Sequence, residues 1–166
     1  MMKMIRVIRH LLFTHWQVNR AFPRDTLIAI EKAIKTCDSE HIGEIRFAVE
    51  GALHSALLFH DQTARERAVE VFSQLRVWDT EHNNGVLIYV LLADRAVEIV
   101  ADRGVHAKTS AQDWRSVCGM METAFRRAEY RSGAISGIQA VAQHLRKHFP
   151  ASGNMRNELA DAPVVL

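Results

Sequence analysis

The longest unbroken apolar stretch of the chain, the eight residues from Val86 to Ala93, is flanked by Asp79, Glu81, Asn83 and Asn84 on one side and by Asp94 and Arg95 on the other. It is far short of the ~20 residues that cross a bilayer. A run of this length between turn residues is a strand buried on both faces, as at the centre of an α/β sheet. Asp94-Arg95 reads as a tight reversal, and Ala96 to Ala101 as a strand returning beside the first, so the two form a hairpin. A strand buried on both faces needs helices on both sides of its sheet, and this requirement organises the remaining segments.

From Gly43 the pattern has a period of two: Ile45, Phe47 and Val49 alternate with Glu44, Arg46 and Ala48. This predicts a strand with one face in the core and one partly polar, with Glu44 and Glu50 exposed to solvent. Thr63 and Glu66 make a capping box, followed by Ala64, Ala68, Val71, Phe72 and Leu75 at helical spacing, with Arg65, Arg67 and Glu70 on the solvated face. Pro23 opens an earlier helix with Leu27, Ile30, Ile34 and Cys37 inward. Ser110 caps a later one with Trp114, Val117, Cys118, Met121 and Phe125 inward. The last helix, about Ser132 to Phe149, stops at Pro150, and its Gly133 and Gly137 allow close packing on the sheet. At the start, Ile5, Ile8, Leu12 and Trp16 share one stripe, which predicts a short helix with these residues inward and Arg6, Arg9 and His10 turned away. Gly51 to Asp61 takes no assigned type, and the tail from Ala151 is expected to be mobile.

The expected architecture is a three-layer α/β/α sandwich whose small mixed sheet holds a parallel pair plus an antiparallel hairpin strand. An N-terminal amphipathic helix (1–20) precedes the domain (21–149), and a flexible tail (150–166) follows it. The chain of 166 residues is about one domain. Cys37 and Cys118 are too few and too far apart for a disulfide framework or a zinc site, which fits buried thiols in a reducing compartment. The basic residues are scattered and the formal charge is +2, against a dedicated nucleic-acid binder. Arg6, Arg9 and His10 interrupt the apolar start and no small-residue cleavage site follows, so the expected location is cytoplasmic. No Ser, His and Asp arrangement, P-loop or dinucleotide glycine phrase is present.

Several phrases in order carry a family likeness. Gly43-Glu44-Ile45 opens the first strand, and Asn83-Asn84-Gly85-Val86-Leu87-Ile88 opens the second. Asp94-Arg95 stands at the hairpin, Gly104-Val105 after the third strand, and Tyr130-Arg131-Ser132-Gly133 before the last helix. From about Ala21 to Phe149 the chain resembles the TPM domain family. That resemblance implies an α/β/α sandwich, a polar pocket at one edge of the sheet, binding of a divalent cation and a weak acid phosphatase activity. Where relatives begin with an aspartate-rich phrase, this chain has Val18-Asn19-Arg20-Ala21-Phe22.

Metal-assisted hydrolysis of a phosphomonoester needs hard oxygen ligands for Ca²⁺ or Mg²⁺ and a cation for the phosphoryl oxygens. Asp79, Glu81, Asn84 and Asp102 are the candidate metal ligands. Asp102 and Arg103, or Asp94 and Arg95, are the candidate catalytic residues. The hairpin puts Asp79, Glu81, Asn84, Asp102 and Arg103 at one edge of the sheet and Asp94 and Arg95 at the other, so one site cannot use them all. The Asp102 end is favoured. Against each stands a structural reading: Asn84-Gly85 as a turn pair with Gly85 at positive φ, Asp79-Thr80 as a turn cap, and Asp102-Arg103 as a surface ion pair. The expected role is a cation-binding interaction or regulatory module with a protein partner, and the alternative is a weak metal-dependent phosphatase.

Overall fold

Residues 2–152 and 157–166 are described by the structure, a computed structural model; Met1 and residues 153–156, the latter part of the expected tail, lie outside it. The apolar run does form the central strand. Strand β1 (Glu44–Glu50) pairs in parallel with β2 (Gly85–Leu91), and β2 pairs antiparallel with β3 (Ala96–Ala101) through the four-residue reversal at 92–95. Every residue of β1 and β2 is buried. On one face Ile45, Phe47, Val49, Val86, Ile88 and Val90 meet helices α3 (Arg24–Asp38), α7 (Ala111–Arg126) and α8 (Tyr130–His148). On the other, Ala48, Leu87, Tyr89 and Leu91 meet α5 (Ala64–Gln74), with Leu53 and Leu58 beside them. Leu58 lies on the short α4 (Ser55–Phe59), in the segment to which the sequence assigned no type. The sandwich and its mixed sheet are therefore as expected.

The capping boxes of α5 and α7 are both formed, Thr63 with Glu66 and Ser110 with Asp113. Helix α6 (Arg103–His106), a single turn capped by the Asp102 side chain, is too short to leave a periodic signal. Gly85 is not at positive φ; Asn83 takes that conformation, at 50°. The reason for a glycine at 85 is close approach, because a Cβ there would collide with the Val77 carbonyl oxygen. Gly133 and Gly137 bring α8 against α7, at Ala124, Phe125 and Met121, rather than against the sheet.

The larger departures concern polar groups. Glu44, Arg46 and Glu50, all on the face of β1 read as partly polar, are buried, and each has its own partner. Arg67 of α5, expected in solvent, grips the Glu50 carboxylate with Nε and Nη2 at 2.9 and 3.1 Å, while the Tyr89 hydroxyl donates to it at 2.6 Å. A carboxylate so enclosed needs a charged, two-point partner, and guanidinium supplies it. Glu44 and Arg46 hold the chain end. The Glu44 carboxylate accepts from the backbone N–H groups of Glu158 and Leu159, and Arg46 donates to the Ala160 and Ala162 carbonyls. Val164–Val165 then adds strand β4 in parallel to β1, giving the order β3-β2-β1-β4. Residues 157–166, expected to be mobile, thus cover an edge that would otherwise be open to pairing.

Beside this strap, burial and the nearby charges of Asp161 and Glu44 push the Asp38 carboxyl up to about 7. A raised folded-state value means that the contribution is complete below the ordinary carboxylate range and is lost as pH rises through about 7. Urea unfolding is expected to show stability falling between about pH 4 and about pH 7, on the order of the interval between the ordinary and the raised value, with the fall reduced in Asp38→Asn. An unchanged slope in that variant would refute the assignment.

Candidate functional site

At the amino-terminal end of β1 and β2, the candidate metal ligands do not share one hollow. Asp79 is exposed in a turn, its N–H bonded to the Arg76 carbonyl at 3.0 Å. Glu81 is exposed too, and its N–H donates to the Glu158 carboxylate at 3.0 Å. Asn84 is fully buried; its Nδ2 donates to the Ile42 carbonyl at 2.6 Å and its backbone N–H to Thr80 Oγ1 at 3.1 Å. Asp102 caps α6, with Oδ1 accepting from the Arg103 N–H at 2.7 Å, while the Arg103 side chain is exposed. Asn84 Oδ1 and Asp102 Oδ2 are buried with no hydrogen-bond partner among the described residues. A pocket of about 220 Å³ opens at this end, lined by Asp38, His41, Glu44, Glu81 and Glu158 among others. Of the candidate ligands only Glu81 reaches it. Among the described residues no three His, Cys, Asp or Glu side chains are grouped to hold a metal ion, and of the four candidate ligands Asp79 and Glu81 are exposed while Asn84 and Asp102 are buried.

The carboxyl end of the parallel strands is organised quite differently. Here the hairpin presents Asp94, with Arg95 at a φ of 55°. Helix α1 (Met2–Leu11) lies over it and brings three side chains to the one carboxylate. Arg6 Nη2 is 2.8 Å from Asp94 Oδ2, Arg9 Nη2 is 3.0 Å from Oδ1, and His10 Nε2 is 2.9 Å from Oδ1. Arg6 also donates to the Gln62 carbonyl at 2.7 Å. The Leu53 N–H donates to His10 Nδ1 at 3.0 Å, which fixes the proton on Nε2 and makes that nitrogen the donor to Asp94. Burial alone would raise the Asp94 carboxyl, but the hydrogen bonds of Arg6 and His10 and the charge of Arg6 outweigh it and hold the group below the usual carboxylate range.

This arrangement reverses the expected orientation of the N-terminal helix. His10 is buried and Arg6 and Val7 are half-buried against the sheet side, whereas Met4, Ile5, Ile8, Leu11 and Leu12 are 50% to 70% exposed. Periodicity identified the two faces and misassigned which one turns inward. Arg6, Arg9 and His10 at spacings of three and four, with no acid nearby in the chain, were the available signal that a carboxylate must come from elsewhere. The helix also ends at Leu11, and a second one, α2 (His15–Ala21), carries Trp16 outward and Val18 and Ala21 into the core.

Next to the clamp is a pocket of about 440 Å³, with Trp16, Phe125 and Tyr130 among its walls and Arg20, Arg95 and Arg126 around it. The Arg20 guanidinium stands 5.4 Å over the Trp16 ring. Phe125 and Tyr130 pack with Phe22, at centroid distances of 5.9 and 5.5 Å, so the inner wall is rigid core. Among the described residues no carboxylate lines this pocket.

A mixed sheet between helical layers, with a charged hairpin at the carboxyl end of its parallel strands, defines the class of protein. The family model for the TPM domain matches residues 19–144, and the chain belongs to that family. Among solved structures it is similar to the BA42 protein of the psychrophilic bacterium Bizionia argentinensis, with 27% identity, a TM-score of 0.74, and 86% of this chain and 93% of that chain covered. A weaker likeness is to the N-terminal domain of a P. gingivalis protein, with 18% identity, a TM-score of 0.46, and 72% of this chain and 93% of that one covered. No functionally curated protein matches the sequence.

Because the Asp94 value is depressed, the stability its bonds contribute is present above the ordinary carboxylate range and is lost as pH falls through the folded value. Asp94→Asn at neutral pH is expected to cost about 2–4 kcal/mol and to speed amide exchange in α1 selectively. Uniform exchange rates in α1 between the variant and the parent would show that the clamp does not hold the helix.

Proposed function

We propose that this TPM domain is an interaction module whose working surface is the outward face of α1. The observation that carries the reading is the reversal of that helix, which spends its polar side chains on Asp94 and leaves a row of five large apolar residues in water. Contiguous apolar surface of this kind marks sites of association. The hairpin acid that a catalytic role would employ is already engaged by two guanidinium groups and an imidazole. The fold itself contributes nothing to the choice between binding and catalysis.

A second reading is a weak phosphatase dependent on Ca²⁺ or Mg²⁺. It is favoured by one observation, the two buried oxygens Asn84 Oδ1 and Asp102 Oδ2 without partners among the described residues. Both are the hard donors that such ions prefer. They lack a further ligand among the described residues, since Asp79 and Glu81 turn outward.

Two measurements test the first reading against the second. Hydrolysis of p-nitrophenyl phosphate by the purified chain is expected to be the same with and without Ca²⁺ or Mg²⁺, and the same in Asp102→Asn; a metal-dependent rate lost in that variant would establish the phosphatase instead. Ile8→Ser is expected to change the unfolding free energy by less than about 0.5 kcal/mol, as for a side chain that touches only solvent. A loss above about 2 kcal/mol would place Ile8 in the core and remove the surface.

A further inference from the structure

We propose that the occupant of this surface is an anionic lipid bilayer, with α1 lying in the plane of the headgroup region; the inference rests on the reading of the domain as an interaction module. Helix α1 has ten residues, about 15 Å, and among the described residues no helix is long and apolar enough to cross a membrane. It is a helix that lies on a surface. Met4, Ile5, Ile8, Leu11 and Leu12 fall at the spacings that make one continuous ridge, and each is at least half exposed. A single convex ridge offers a partner helix no groove to settle in, but it fits a soft apolar layer 5–10 Å deep, on the order of the insertion seen for interfacial helices. Past the helix end, Trp16 continues the exposed surface at 65%, and tryptophan favours the boundary between headgroups and acyl chains.

The charge carried by the N-terminal segment itself has one sign. The first 24 residues contain Lys3, Arg6, Arg9, Arg20 and Arg24 and no Asp or Glu. Three further observations come from three separate elements: Arg20 of α2, Arg95 of the hairpin and Arg126 of α7 surround the pocket behind Trp16, and none of them is paired with a carboxylate among the described residues. Arginines left unpaired beside an apolar ridge complement lipid phosphates, which attract such residues at about 1 kcal/mol each near a charged surface. The pocket, with its aromatic walls and no acid, is the place for one headgroup. The Asp94 clamp then has a clear part in binding: it fixes the roll of α1 so that the ridge points outward before any membrane is met, and less ordering cost remains for association.

The test is co-sedimentation of the full chain with vesicles of phosphatidylglycerol and phosphatidylcholine in equal parts, beside vesicles of phosphatidylcholine alone. Binding to the anionic vesicles is expected, weakened at roughly 0.5 M salt, where charges are screened within about 4 Å. Ile8→Asp with Leu12→Asp is expected to weaken it at least about tenfold with the unfolding midpoint retained, since an acid at these positions opposes both insertion and the lipid charge. Arg20→Glu with Arg126→Glu is expected to remove the preference for anionic over neutral vesicles. A parent chain that stays in the supernatant with both vesicle types overturns the inference. So does a parent that sediments as a dimer and becomes a monomer in the Ile8→Asp, Leu12→Asp variant without binding vesicles, because the ridge then meets a second copy. Neither outcome touches the interaction-module reading, which fails on a metal-dependent phosphatase rate.

Discussion

One carboxylate decides which way the N-terminal helix faces. Asp94 sits at the tip of the central hairpin, half-buried, where an ionised group needs partners. Its partners among the described residues all come from α1: two guanidinium groups and one imidazole within 3.1 Å. Charge-assisted bonds of this kind are stronger than neutral ones and require their donors on one helical face. Once Arg6, Arg9 and His10 are committed, the opposite face of the helix has only solvent to look at. The apolar ridge follows from the electrostatics of the hairpin, since a chain governed by apolar burial alone would have turned the helix over.

The same logic recurs on β1. Three charged residues occupy the face of that strand read as partly polar, and each is satisfied by a part of the chain remote in sequence: Glu50 by Arg67 of α5, Glu44 by the backbone of 158–159, and Arg46 by the carbonyls of 160 and 162. Breaking such a pair leaves an uncompensated buried charge, which is why the loss of any one of these partners would loosen the chain end or α5 from the sheet. The C-terminal strand is an outcome of this wiring. Val164–Val165 alone is too brief to nucleate pairing, but Glu44 and Arg46 deliver it to the edge of β1.

What the sequence revealed divides along the same line. Helices with strong period, such as α3, α5 and α7, are legible because apolar spacing states both the element and its buried face, and β2 is legible because an unbroken apolar run between turn residues states a strand buried on both faces. Asp94-Arg95 was legible as a hairpin tip, and the separation of the two ends of the sheet was correct. Long-range charge pairing was not legible. Nothing local to Glu50 announces Arg67, and nothing local to Arg6 announces Asp94, so the local pattern sends charged residues to solvent and rolls the amphipathic start the wrong way. Gly85 was recognised as special for the wrong reason: the constraint is the nearby Val77 carbonyl, a neighbour that only the folded chain supplies. The one-turn α6 and the two-residue β4 lie below the length at which periodicity carries information.

The coupling between α1 and the hairpin sets the roll of the helix, and a double-mutant cycle measures that coupling most directly. Arg6→Ala, Asp94→Ala and the two together, each unfolded in urea, isolate the pairwise contribution. The clamp as described predicts a coupling of about 1 kcal/mol or more, with the double variant losing clearly less than the sum of the single losses. Additive losses, within about 0.3 kcal/mol, would mean that the two side chains act independently and that something other than Asp94 sets the roll of α1.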